Sequence, residues 1–168
     1  TGYHTVSSRF DVDTTVYNKL FENSKYIIQV TNHQFNWEWG NWVLPGNSPY
    51  AVKVVYMPVK SKAIERLTID FREKHGAQMI SIKDLDGSVL SDTSPTMLVL
   101  LADQNPGSTK KAYWTIFFGK KVPFHKGMEI LARRYNYPVV FDEIIKVKRG
   151  YYKTNSHLAF LNPNQTKP

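Results

Sequence analysis

The sequence predicts an α/β fold, a mostly parallel central sheet flanked by helices, on three observations. Strand-like and helix-like segments alternate along the chain. The strand-like runs are continuously apolar rather than alternating, the pattern of strands covered on both faces. The chain has 168 residues with 42% hydrophobic content, enough for one packed domain and too apolar for a disordered chain. We expect that domain over residues 1–161. The tail, 162–168, has two Pro, two Asn and a Gln without apolar support and is expected to be loose.

Taken in order, Asp13 to Asn23 reads as a helix, because Asp and Thr open it and Val16, Leu20 and Phe21 share a face. Tyr26 to Val30 is a β-rich run leading straight into polar Thr31, Asn32 and His33, the form of a buried strand whose carboxyl end delivers polar groups. Leu44 to Pro49 carries two Pro and one Gly and reads as a loop. Val52 to Tyr56 is a second strand, ended by Pro58. Lys62 to His75 sets Ile64, Leu67 and Phe71 at helical spacing, with Gly76 as its stop. Gln78 to Ile82 and Met97 to Ala102 read as strands, Gly127 to Tyr137 as a helix, and Val139 to Lys148 as a strand beginning after Pro138. Sheets of this class gather ligand and catalytic groups beyond the carboxyl ends of their strands. His33 and Asp103 both fall at such ends.

Composition narrows the function. No cysteine is present, which excludes a disulfide framework, a thiolate zinc site and a cysteine nucleophile. No metal-ligand motif is visible, so no metal is expected. No run approaches the ~18 apolar residues of a membrane span, so the chain reads as soluble or peripheral. Thr1 opens it without the basic start and apolar core of a signal peptide. A start without Met suggests that a leader, tag or larger portion is missing. The net charge is +8 and unevenly placed. Residues 1 to 103 hold 10 basic and 11 acidic side chains, a net of −1, whereas residues 104 to 168 hold 12 basic and 3 acidic, a net of +9. Such a half points to an acidic partner or surface.

The segment Thr31-Asn32-His33-Gln34-Phe35-Asn36-Trp37-Glu38-Trp39-Gly40 puts a histidine and a carboxylate five positions apart after a strand. On one continuous helix they would point about 140° apart and lie about 7.5 Å apart along the axis. With His33 in the strand-to-helix turn and Glu38 in the first turns of the helix, the carboxylate can reach the imidazole and fix its tautomer. A base held by an acid is the minimal unit for taking a proton from a hydroxyl. Spacing alone favours a structural role: His33 as a helix cap, with Trp37, Trp39 and Trp42 as core or interface aromatics. His4, His75, His125 and His157 lack partnered spacing and read as surface or capping residues.

Four ordered blocks carry a resemblance. His33, four residues and Glu38, with Asn36 and Trp37 before the carboxylate, form the first. Val55-Tyr56-Met57-Pro58 with Arg72 and Gly76 form the second. Leu101-Ala102-Asp103-Gln104-Asn105-Pro106-Gly107 is the third. Phe117-Phe118-Gly119-Lys120, then Gly127 and Leu131-Ala132-Arg133, is the fourth. Together, from about residue 26 to 153, they resemble the lipid A biosynthesis branch of the glycerolipid acyltransferases. Two departures stand out. Met57 replaces the arginine usual before that proline. Between Asp84 and Thr96, Asp86-Gly87-Ser88 and Asp92-Thr93-Ser94-Pro95 replace the basic helix common in the family. The family's amino-terminal hydrophobic anchor and carboxyl-terminal aromatic and basic segment are not seen, so the chain looks like the middle of a longer enzyme, or a truncated or divergent one.

The resemblance implies transfer of a fatty acyl group from an acyl carrier protein thioester to a hydroxyl of a lipid A precursor. His33 would be the general base and Glu38 its orienting carboxylate. No serine sits in a Gly-x-Ser-x-Gly elbow, which favours direct transfer over an acyl enzyme. No cofactor is implied beyond the acyl donor as co-substrate. Arg72 is the candidate for holding a phosphate, carboxylate or developing oxyanion through bidentate contacts, the alternative being a helix-surface arginine. Asp103 and Gln104 would orient the acceptor or bind backbone near the site, or serve the loop alone. Asn36 would hydrogen-bond near the base or start the helix. The implied location is the cytoplasmic face of a Gram-negative inner membrane. The basic half has two uses open to it, an anionic lipid headgroup or membrane surface and an acidic acyl carrier protein, the alternative being a basic face that is simply solvated. Tyr113, Trp114, Tyr151 and Tyr152 between basic residues keep a nucleic-acid-binding module open as a different class. No nucleic-acid motif supports it, and no nucleic-acid partner is expected.

Overall fold

The computed structural model of the chain describes residues 2–85 and 93–166. Its elements run α1 (Tyr3–Ser7), β1 (Phe10–Asp11), α2 (Thr15–Phe21), β2 (Tyr26–Thr31), α3 (Trp37–Asn47), β3 (Ala51–Tyr56), α4 (Lys62–Glu73), β4 (Gln78–Ser81), β5 (Thr96–Leu101), β6 (Tyr113–Phe117), β7 (Lys120–Phe124), α5 (Gly127–Tyr135), β8 (Val139–Lys148) and β9 (Tyr151–Phe160). Seven strands form one sheet in the order β1-β9-β8-β2-β5-β3-β4, and β6 and β7 form a separate antiparallel pair. Within the sheet every pairing is parallel except β8 with β9. The fold is the expected α/β architecture. The segment 86–92, part of the stretch that departs from the family's basic helix, lies outside the described residues.

The continuous apolar runs have a direct cause in this layering. On β2 and β5, Ile27, Met97 and Val99 join Tyr17 and Leu20 of α2 and Leu44 of α3 on one face of the sheet. Ile28, Val30 and Leu98 join Ala132 of α5 on the other. Both pleats are covered, so neither face of these strands carries exposed polar residues. The polar exception on β2 is Gln29, which donates to Asp142 of β8; Tyr17 of α2 donates to the same carboxylate oxygen. Burial pushes the Asp142 carboxyl up, and burial together with the facing Asp142 pushes the Tyr17 hydroxyl up.

Two regions differ from the sequence expectation. The loop expected over 44–49 is helical to Asn47, with Pro45 inside α3. Pro45 removes the N–H that would bond the Asn41 carbonyl, and burial of Trp42, Val43 and Leu44 holds that last turn against the core despite the loss. The tail expected to be loose is held over part of its length. Pro163 is buried, and the Arg133 guanidinium of α5 donates to the carbonyls of Pro163 and Thr166 at 3.0 and 2.7 Å. The strands β6, β7 and β9 were not read from the sequence. In β7 and β9 the apolar residues are interspersed with Lys, Thr, Asn and His, so no continuous apolar run marks them, and β6 is a short run with no second run beside it to pair with.

Candidate active site

Strand register builds the site. β2 and β5 are adjacent and parallel, with Thr31 opposite Leu101, and Ala102 continues the ladder by donating to the Thr31 carbonyl at 3.0 Å. Two residues further along each chain, the same register brings His33 opposite Asp103. The Asp103 carboxylate takes both available donors, the His33 backbone N–H at Oδ2 (2.9 Å) and the imidazole Nδ1 at Oδ1 (2.7 Å). Burial alone would raise the Asp103 carboxyl, but these hydrogen bonds outweigh it and hold the group below the usual carboxylate range. With Nδ1 engaged by a carboxylate, Nε2 is the ring nitrogen left to accept a proton.

A second pair stands beside the first. Phe35, at φ 47, turns the chain in the left-handed region, and α3 starts at Trp37 with Asn36 as its N-cap. That path carries Glu38 toward α4, where its carboxylate accepts from Arg72 Nη2 at 2.8 Å and from Arg72 Nε at 3.2 and 3.3 Å. Arg72 is held from the α3 side too. Asn41 donates to its carbonyl at 2.8 Å, and the Trp42 indole donates to the Phe71 carbonyl at 3.0 Å. Both close carbonyls at the end of α4 that have no helical partner. Trp37 links the two pairs: its ring meets the His33 ring edge-on at 5.0 Å, and the Arg72 guanidinium lies 4.7 Å from its centroid.

The imidazole contact expected from Glu38 is therefore made by Asp103, and Glu38 accepts its hydrogen bonds from Arg72. Spacing could show that Glu38 was near His33 in sequence; only the strand order brings Asp103, seventy residues on, to the imidazole. Arg72 faces the site rather than bulk solvent. Gln104 lines the site cavity. Asn36 serves as N-cap through its carbonyl, which accepts from Trp39 and Gly40, and its side chain makes no capping bond.

His33, Arg72 and Gln104 form the polar side of a cavity of about 280 Å³ whose other walls include Met57, Met79 and Met128. His125, expected as surface or capping, lines it as well. A second cavity of about 400 Å³, lined by Tyr113, Phe124, Val139 and Phe160, shares His125 and Met128 with the first. A histidine and an arginine on one side and methionines on the others suit a ligand with a polar end and a hydrocarbon body. Among the described residues there is no cluster of histidine and carboxylate groups able to hold a metal ion, and no helix is long and apolar enough to cross a membrane.

Fold and site together define an α/β protein in which a histidine, paired with a carboxylate from beyond the neighbouring parallel strand, lines a cavity with polar and methionine walls. The family model of the bacterial lipid A biosynthesis acyltransferases matches residues 4–164, and the chain belongs to that family. None of the curated protein sequences compared with it matches. Membership implies an acyltransferase of lipid A biosynthesis.

Proposed function

We propose that the chain transfers a fatty acyl group from an acyl carrier protein thioester to a hydroxyl of a lipid A precursor, at the cytoplasmic face of a Gram-negative inner membrane. The observation that carries this reading is the 2.7 Å contact between His33 Nδ1 and Asp103, with the imidazole on the wall of a cavity that is polar on one side and lined by methionines on the others. Nε2 of His33 takes the acceptor hydroxyl proton, and the resulting alkoxide attacks the thioester carbonyl. The tetrahedral intermediate collapses by breaking the carbon–sulfur bond, and the imidazolium returns its proton to the leaving thiolate. Asp103 keeps the ring oriented and balances the imidazolium charge. Arg72, positioned by Glu38, faces the developing oxyanion or an acceptor phosphate, and Gln104 and Asn36 are proposed to line the acceptor's approach.

The test supplies labelled acyl carrier protein thioester and a panel of acceptors comprising a lipid A precursor, another glycolipid and a glycerophospholipid. Transfer to the lipid A precursor, reduced about 10²- to 10⁴-fold in His33→Ala, is the expected result. Transfer confined to another acceptor moves the assignment within the superfamily. Activity undiminished in His33→Ala overturns the mechanism.

A further inference from the structure

We propose that the β6–β7 hairpin is a membrane-contact element that lays its apolar tip into the interface of a bilayer bearing anionic headgroups. Three observations converge on it. The hairpin stands apart from the seven-stranded sheet, and both of its faces are open. Tyr113, Trp114, Ile116 and Phe117 are all exposed, and Phe118 at the tip is 91% exposed. Isolated two-stranded ribbons are marginal in water, and a cluster of this kind on a water-facing element marks an interaction site.

The turn itself is the second observation. Phe117 pairs with Lys120, leaving Phe118 and Gly119 as a two-residue loop with φ of 48° and 75°. Positive φ at both central positions defines a type I′ turn, whose first position favours Asn, Asp or Gly. Gly119 meets that demand. Phe118 does not, and its ring contacts Phe117 alone among the described ring pairs. A strained backbone that displays a nearly bare aromatic ring gains nothing inside this chain, and strain of this sort accompanies function.

Charge is the third. From Gln104 to Met128 the sequence carries five lysines and no carboxylate. Lys120 and Lys121 follow the tip directly, with the Lys121 ammonium 5.7 Å from the centroid of the Trp114 ring. Apolar tip, indole and ammonium in that sequence fit the layers of a bilayer surface from acyl boundary to headgroup. A nucleic acid could stack a base on Phe118 and pair with the lysines, but it would leave the aliphatic Ile116, 67% exposed, without a counterpart, whereas the acyl boundary of a bilayer takes both. The hairpin's root adds a route inward: Tyr113 and Phe124 line the second cavity, which shares His125 and Met128 with the chamber of His33. Lipid entry by that route rests on the acyl-transfer reading; the membrane contact does not.

Co-sedimentation of the 168-residue chain with phosphatidylcholine vesicles, with and without phosphatidylglycerol, tests the contact without any acyl donor. We expect binding to the anionic vesicles, weakened at least tenfold in the Phe117→Ser/Phe118→Ser double variant. In Lys120→Gln/Lys121→Gln the preference for phosphatidylglycerol should drop by about fivefold per lysine. Phe118→Asn, which suits the turn and so preserves the hairpin, should weaken binding as well. Vesicle binding unchanged in the Phe118→Asn and double variants overturns the proposal. So does absence of wild-type vesicle binding, with or without hairpin-dependent binding of a single-stranded oligonucleotide or of acyl carrier protein in its place.

Discussion

Two apolar runs of similar make-up meet opposite fates in this molecule. Tyr26-Ile27-Ile28-Gln29-Val30-Thr31 becomes β2, with Ile27 and Ile28 almost fully buried; Tyr113-Trp114-Thr115-Ile116-Phe117 becomes β6, exposed along most of its length. β-Propensity makes both into strands. The difference lies in their neighbours. β2 has β5 on one side, β8 on the other and helices over both faces, whereas β6 has β7 alone. Apolar composition thus decides that a segment pairs, and the surrounding elements decide whether it is a core strand or a surface.

The comparison makes opposite predictions for truncating an apolar residue in each region. Ile28→Ala should lower stability in chemical denaturation by about 2–4 kcal/mol, because the methyls removed are fully enclosed. Phe118→Asn should instead raise it by about 1 kcal/mol, since Asn tolerates the left-handed turn and the ring lost touches little. Equal destabilisation by both would show the hairpin to be packed like the core.

A smaller effect sharpens the contrast on the α3–α4 side. Burial, with Lys74 adding to it, holds the His75 imidazole below its ordinary 6.5, and the ring lies between Tyr3 and Trp42 at 4.8 and 4.6 Å. Its folded value is below its unfolded one. The stability it contributes is therefore present above about pH 6.5 and lost as pH falls through the folded value. His75→Phe should flatten that part of the acid fall in thermal unfolding, and a slope identical to wild type would contradict the assignment.

The strand-forming runs from Tyr26, Val52, Gln78, Met97 and Val139 were legible because buried parallel strands carry their signal in consecutive residues. The ends of those strands also pointed to His33 and Asp103 separately. Their pairing was not legible, because it depends on β2 and β5 being neighbours in a register that no local pattern encodes. The same holds for Glu38. Its sequence distance from His33 suggested a partner, while the turn at Phe35 and the start of α3 send it to Arg72. Pro45 misled for a local reason, since a proline in a last helical turn looks like one in a loop. The hairpin was hidden because its one apolar run, Tyr113 to Phe118, is followed by a strand that opens on Lys120 and Lys121 and carries no run of its own.

The pairing at the strand ends is the central claim, and comparing turnover of Asp103→Asn with that of Glu38→Gln tests it most directly. If Asp103 orients the base, Asp103→Asn should lose about 10²- to 10⁴-fold in acyl transfer, and Glu38→Gln, acting through Arg72, about tenfold or less, a hydrogen bond to a charged group being at stake. Full turnover in Asp103→Asn together with an inactive Glu38→Gln would return the imidazole's partner to Glu38 and contradict the account.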